Sequence, residues 1–229
     1  MRSYSQYCSM ARALDLVGDR WTLLIVRELL TQGPCRFSDL RRGLPGIASN
    51  LLADRLREME TSGLITRTAE PPPIAATLIR LTDRGHKLTG VVRELTLWGA
   101  PLMLEPPKDD TFRMHWFTLP LRHLCRDSSP DEPAATVRLG DLADGCDIIA
   151  DHGQIEVLPC STTRQPDATV TAPPQVLVAL FTGLMTLPSA RDEGLVIDGS
   201  SAALQRLLPA TGVRGSSTVE RPGSGLDSP

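Results

Sequence analysis

A chain of 229 residues is long enough for two domains, and its 41% hydrophobic content and mean hydropathy of −0.08 fit a folded, water-soluble protein. No run approaches the ~20 apolar residues of a membrane span; the opening MRSYSQYCSMARALDLVGDRW lacks the apolar core of a signal peptide; and five cysteines (Cys8, Cys35, Cys125, Cys146, Cys160) without a CxxC imply neither a disulfide framework nor a zinc site, so a cytoplasmic location is expected. The net charge of −3 is uneven: residues 1–104 carry 14 basic and 10 acidic side chains and residues 105–229 carry 10 and 17, which directs the search for an anionic partner to the first half.

Residues 8–17 are predicted helical, with Met10, Leu14 and Val17 as the apolar stripe. Asp19 is placed to cap a second helix, 20–32, whose inner face is Trp21, Leu24, Ile25 and Leu29 and which Gly33-Pro34 stops. RFSDLRRGLPG (36–46) predicts one short helix. In GIASNLLADRLREMETSGLI (46–65), Leu52, Leu56 and Met59 share one helical face, Asn50, Ala53, Asp54 and Arg57 share the other, and Gly63 is the expected left-handed cap. LITRTAE (64–70) and ATLIRLT (76–82) alternate apolar and polar around PPPIA, the pattern of a two-stranded ribbon with a proline-rich tip. Residues 82–103 predict a final amphipathic helix with Leu88, Val91, Val92, Leu95 and Trp98 on one side. Helix, helix, short helix, helix, hairpin, helix is the order of a winged helix-turn-helix, in which the fourth helix enters the major groove and the hairpin tip lies over neighbouring backbone.

EPPKDD (105–110) reads as a linker, since its prolines break helices and its charges keep it solvated. Beyond it, FRMHWFTLPLRHLC is ambiguous at Pro120 between a broken helix and a strand followed by a helix. ATVRLGD, CDIIADHG and QIEVLPC read as successive antiparallel strands and DATVTAP as a further one. PPQVLVALFTGLM predicts a helix with Val176, Leu177, Leu180, Phe181 and Leu184 as its apolar positions; GLVIDGS predicts a last strand and SAALQRLL a closing helix. Residues 213–229 are rich in Gly, Ser and Pro, which predicts disorder. The expected fold class is α+β: a DNA-binding unit over 1–104, a linker over 105–110, and an antiparallel sheet with packed helices over 111–212. Catalysis is not expected, and neither is a metal or cofactor. His123 and Cys125 have no third group to orient them, His152 is a turn residue, and there is no phosphate loop or Gly-x-Ser-x-Gly.

GDRWTLLIVRELLTQGPCRFSDLRRGLPGIASNLLADRLREMETSGLITRT, followed by PPP and LTDRG, resembles the HxlR family of bacterial winged-helix transcriptional regulators over roughly residues 8–103. The resemblance implies a homodimer built on the first and last helices of each subunit, bound to palindromic double-stranded DNA as repressor or activator. It places Phe37 in the core, Arg36 at a phosphate-contacting position, and Ser49, Asn50, Ala53, Asp54 and Arg57 at the base-contacting positions. Asn can pair bidentately with adenine, and a carboxylate can accept from cytosine. Ser38, Arg41 and Arg42 complete the DNA-facing set, and Pro71, Pro72 and Pro73 form the wing. Arg55 sits at a basic position usual in this helix; its plain alternative is an ion pair with Glu58 or Glu60. Ala48 departs from the family, which has a Ser or Thr cap there, and Ser49 is the alternative cap. Some family members sense oxidants or electrophiles through a cysteine near Cys8; Arg12, one turn on, would favour the thiolate, while a buried interface thiol is the plain alternative.

DATVTAPPQVLVALFTGLMTLPSARDEGLVIDGSSAALQRLL (167–208) resembles the sterol-carrier-protein-like fold, with Gly183, Gly194 and Gly199 at the matching glycines. That resemblance implies an apolar tunnel between sheet and helices for a lipid-like molecule, with Leu177, Leu180, Phe181, Leu184 and Met185 as ligand-facing candidates; core packing is the plain alternative for each. The expected function is thus a dimeric DNA-binding regulator modulated by a hydrophobic ligand. The competing readings are a thiol sensor acting through Cys8, and a lipid-binding protein whose winged helix makes only protein contacts.

Overall fold

The computed structural model describes residues 3–73, 75–104 and 110–209. Residues 105–109 of the expected linker and the whole of the expected tail lie outside the described residues. Four helices, α1 (Ser9–Val17), α2 (Thr22–Gln32), α3 (Phe37–Gly43) and α4 (Ser49–Thr61), lead into the antiparallel hairpin β1 (Ile65–Glu70) and β2 (Ala76–Leu81), with Ile65 opposite Leu81. Gly63 takes φ +69°, the left-handed conformation that ends α4, and the Leu64 N–H then bonds the Met59 carbonyl at 2.8 Å.

Two local expectations are corrected. Asp19 does not cap α2; Trp21 occupies the cap position without a side-chain bond, and the Asp19 carboxylate pairs with Arg55 instead. The final helix of the first half is divided into α5 (Asp83–His86), α6 (Thr89–Gly99) and a 3₁₀ turn over Ala100–Met103. Thr82 caps α5 by accepting the Gly85 N–H at 3.1 Å, and the Leu88 N–H bonds the Gly85 carbonyl, a three-residue step that interrupts the α pattern. Pro101 lacks an N–H, so the last turn tightens.

The second half opens with α7 (Met114–Leu124), a single helix that contains Pro120. Strands β3 (Ala135–Leu139), β4 (Cys146–Asp151), β5 (Gln154–Pro159), β6 (Ala168–Thr171) and β7 (Val196–Gly199) form one sheet in the order β5-β4-β3-β6-β7. Helices α8 (Pro174–Phe181) and α9 (Leu187–Asp192) connect β6 to β7, and α10 (Ser201–Leu207) closes the unit. The sheet is mixed rather than antiparallel throughout. β3, β4 and β5 form a meander, but the chain then crosses to the other side of β3 and β6 pairs with it in parallel, Val137 opposite Ala168. Arg138 on β3 and Asp147 on β4 form a buried bidentate pair at 2.7 and 3.0 Å, and Arg164 joins it at 2.7 Å, which ties the crossover to the sheet.

Two apolar cores result. One gathers Leu40, Leu44, Leu52, Leu56, Met59 and Ile65; the other gathers Val137, Leu139, Ile148, Leu177, Phe181 and Leu204. Helix α7 belongs to both: Leu119 enters the first, Phe117 and Leu121 the second, and the Phe117 ring meets Phe181 edge-on at 6.0 Å.

Candidate nucleic-acid interface

Helix α4 owes its orientation to three anchors: Leu52 and Leu56 are wholly buried and Met59 nearly so. Side chains three and four residues apart share a face, so burying that stripe turns Ser49, Asn50, Asp54 and Arg57 outward, with Ala53 half-buried beside them. Ala48 is the cap residue, extended at φ −72° and ψ 143° and without a side-chain bond, while Ser49 is already helical. The first turn of α4 therefore presents backbone N–H groups that no cap side chain takes up, a geometry that suits a phosphate oxygen.

Arg57 pairs with Asp54 one turn away on the exposed face. Such surface pairs contribute ~0–1 kcal/mol, so an incoming base or phosphate can displace this one. Arg55 is occupied differently. Its guanidinium bridges Asp19, on the α1–α2 turn, and Glu58, and it fastens α4 to the body of the domain. On the preceding helix Arg36, Ser38, Arg41 and Arg42 are exposed. Arg42 lies 3.4 Å from Asp39, the Arg36 N–H bonds Asp39 at 3.2 Å, and Arg41 has no ion pair among the described residues. Phe37 is half exposed rather than buried, because Leu40 and Leu44 take the core positions. Pro71, Pro72 and Pro73 are exposed at the hairpin tip, and Arg67 on β1 pairs with Glu60 on α4 at 3.4 Å. The hairpin base is held by the Thr82 hydroxyl, which donates to the Gly63 carbonyl at 2.6 Å, and by Arg84, which donates to the Ser62 carbonyl at 2.6 Å.

Large apolar side chains are exposed at α1 and on α6. Tyr7, Met10, Val91, Leu95 and Trp98 are all exposed, Trp98 by 76%. Cys8 is exposed at the start of α1, where the nearby Ala11 and Met10 backbone N–H groups draw its thiol below the ordinary range. Arg12 lies 3.8 Å from Asp15, which shares its charge. Burial pushes the other four thiols up, Cys35 and Cys146 to about 12 and Cys160 to about 11.

Of the ligand candidates, Leu177, Leu180 and Phe181 are buried in the second core, Met185 packs against its edge, and Leu184 is exposed by 49%. His123 and Cys125 do not form a reactive pair: Cys125 is buried with its thiol raised, and His152 sits in the β4–β5 turn at φ +48°.

The group that sequence reasoning missed is Glu28. It is wholly buried on α2, and its carboxylate accepts from Arg27 Nε and Nη2 (3.1 and 2.7 Å), Gln32, Trp116 Nε1 (2.7 Å) and, at 2.9 Å, His115 Nε2. Burial raises its pKa, but His115 and Arg27 outweigh that and hold it below the ordinary value. Gly43 is small because a Cβ there would collide with this carboxylate. The signal was present: Glu28 falls on the same helical face as Ile25 and Leu29, a lone acid in an apolar stripe, whereas Leu24 on that stripe is exposed. Glu28 joins the DNA-facing half to α7, with the Arg27 guanidinium stacked 4.4 Å over the Trp116 ring.

Comparison with known proteins bears on the first half. A family model, the HxlR-like helix-turn-helix, matches residues 16–106. The HTH-type transcriptional regulator YodB of Bacillus subtilis is 34% identical over 97 residues, covering 42% of this chain and 85% of YodB. The uncharacterized HTH-type transcriptional regulator Rv3095 of Mycobacterium tuberculosis is 40% identical over 98 residues, 43% of this chain and 61% of that one. The solved reduced form of YodB from B. subtilis aligns with a TM-score of 0.37 at 32% identity, over 41% of this chain and 92% of that one.

Proposed function

The chain belongs to the HxlR-like helix-turn-helix family, a family of DNA-binding transcriptional regulators, and on that premise we propose that it is a homodimeric, sequence-specific regulator whose operator affinity answers to a hydrophobic small molecule. The observation that carries this is the division of α4, with one face sealed by Leu52, Leu56 and Met59 and the other offering Ser49, Asn50, Asp54 and Arg57. Asn50 and Arg57 read base edges, Arg41 and Arg42 hold phosphates, and the proline tip lies along the neighbouring backbone. Family membership favours this over a lipid-binding protein that makes no DNA contact. The exposed stripe of Val91, Leu95 and Trp98 on α6, together with exposed Tyr7 just before α1 and Met10 on it, supports dimerisation through these helices, since exposed clusters of large apolar side chains mark interaction surfaces.

Support for a sterol-carrier-like C-terminal unit lies in the order β6, α8, α9, β7, α10 and in Gly183, Gly194 and Gly199, all at positive φ. A ligand changes DNA affinity only if it binds the competent and incompetent geometries differently, and the α2–α7 junction supplies a route between the two units. The test is fluorescence anisotropy on the protein's own upstream DNA at several salt concentrations, with light scattering for the oligomeric state. Affinity that falls with salt and exceeds that for scrambled DNA is expected; equal affinity for both sequences overturns sequence-specific recognition, and a monomer at micromolar concentration overturns the dimer.

A second reading, thiol sensing through Cys8, is favoured by the one thiol that is both exposed and lowered. It requires that Cys8→Ser abolish an oxidant response of DNA binding.

A further inference from the structure

Between the two halves lies a cavity of about 170 Å³. Arg27 of α2, Thr96 and Leu97 of α6, and Ala100 and Met103 of the 3₁₀ turn line it from the DNA-binding half. Phe112, Trp116, Phe117, Pro120 and Leu124, on and just before α7, line it with Val178 and Thr182 of α8 from the other. Phe117 and Val178 belong to the second core as well, so the cavity borders that core, while Leu177, Leu180 and Phe181 do not line it.

The chemistry of the walls selects the occupant. The polar side chains on the wall are committed elsewhere: the Thr96 hydroxyl donates to the Val92 carbonyl at 2.8 Å, the Thr182 hydroxyl donates to Val178 at 2.6 Å, and the Trp116 N–H and the Arg27 guanidinium are bonded to Glu28. The charge of Arg27 is balanced by that carboxylate, so the site has no net attraction for an anion. A dry apolar cavity of roughly 150 Å³ accommodates a benzene ring, whereas sites for larger ligands run to ~300–1,000 Å³. The volume here matches one ring and falls below the range for larger ligands. Phe117, Phe112 and Trp116 offer edges and faces suited to an aromatic partner.

We propose that this junction cavity binds a neutral, single-ring aromatic molecule. The site deepens the ligand-responsive reading and rests on it for its consequence: the occupant touches α2, which supports the helix-turn-helix, and α6, on which dimerisation is proposed.

The test titrates phenol into the full-length, DNA-free protein and follows the tryptophan indole N–H resonances by NMR. The Trp116 resonance is identified by its loss in Trp116→Phe. Saturable movement of that resonance, with no movement of Trp98, is expected, and Ala100→Phe, which fills the cavity, weakens binding at least tenfold. Thr182→Leu, narrowing it from the α8 side, gives the same direction should Ala100→Phe not fold. No saturable movement in the unmodified protein up to the solubility of phenol, or equal affinity in a folded filling variant, overturns the site. Binding with no change in operator affinity leaves the site standing and overturns the ligand-responsive reading, so the two fail separately.

Discussion

Replacing Glu28 by Ala tests whether the two halves act as one body. The carboxylate is wholly buried and accepts from donors on two elements, Arg27 and Gln32 on α2 and His115 and Trp116 on α7. Removing one partner of a buried ion pair costs ~3–5 kcal/mol. The Arg27 and His115 side chains retain 18% and 25% exposure and can regain water, which places the expected loss at the low end, about 3 kcal/mol, or roughly 150-fold in the unfolding equilibrium. Trp116 cannot turn away so easily, because its ring is held under Arg27 and its indole N–H would lose its acceptor. Urea unfolding followed by tryptophan fluorescence and by far-ultraviolet circular dichroism checks this. The expected result is a lower midpoint and a separation of the two probes as the halves uncouple. Glu28→Gln, which keeps the shape and one acceptor oxygen, is expected to lose less. A loss below about 1 kcal/mol with coincident transitions would refute the claim that Glu28 couples the halves.

Five further outcomes are expected. Asn50→Ala costs ~1–3 kcal/mol on operator DNA and relaxes preference at one base pair, whereas Arg41→Ala weakens binding uniformly and lowers the salt slope by about 1; Arg55→Ala, already held by Asp19 and Glu58, stays within about twofold of the unmodified affinity, all by anisotropy. Leu56→Ala, at a fully buried site, destabilises by ~2–5 kcal/mol in urea unfolding, and a cost under 1 kcal/mol would contradict its role as the anchor of α4. Acidification is destabilising: Arg206 holds Asp127, and Arg138 with Arg164 against the opposing effect of burial hold Asp147, below the ordinary carboxylate range, as His115 and Arg27 do Glu28. A lowered folded pKa contributes stability above the unfolded value near 4 and loses it as pH falls through the folded one. Melting temperatures are therefore expected to hold from pH 7 to 5 and to drop below pH 4, and a melting maximum under pH 4 would contradict this.

What the sequence determined by itself was periodicity and punctuation. Leu52, Leu56 and Met59 at helical spacing, Gly63 after them, the alternation around PPPIA and the short strands from Ala135 onward are local patterns, and the backbone follows them because each buries its apolar face in one way. The winged domain was legible for that reason, and so was the outward face of α4. Three things were decided only by tertiary structure. The sheet became mixed because β6 found the free edge of β3, a pairing between distant segments that no local pattern encodes. Arg55 of α4 and Asp19 of the α1–α2 turn were drawn together, which removed one expected cap, and Arg55 also took the ion pair with Glu58 that was its plain alternative. And Glu28 met Trp116 only when α7 packed on α2, across 88 residues of chain, so the junction and its cavity have no sequence motif of their own. Helical and strand periods report which face a segment buries, but the partner that face meets depends on the path of the whole chain.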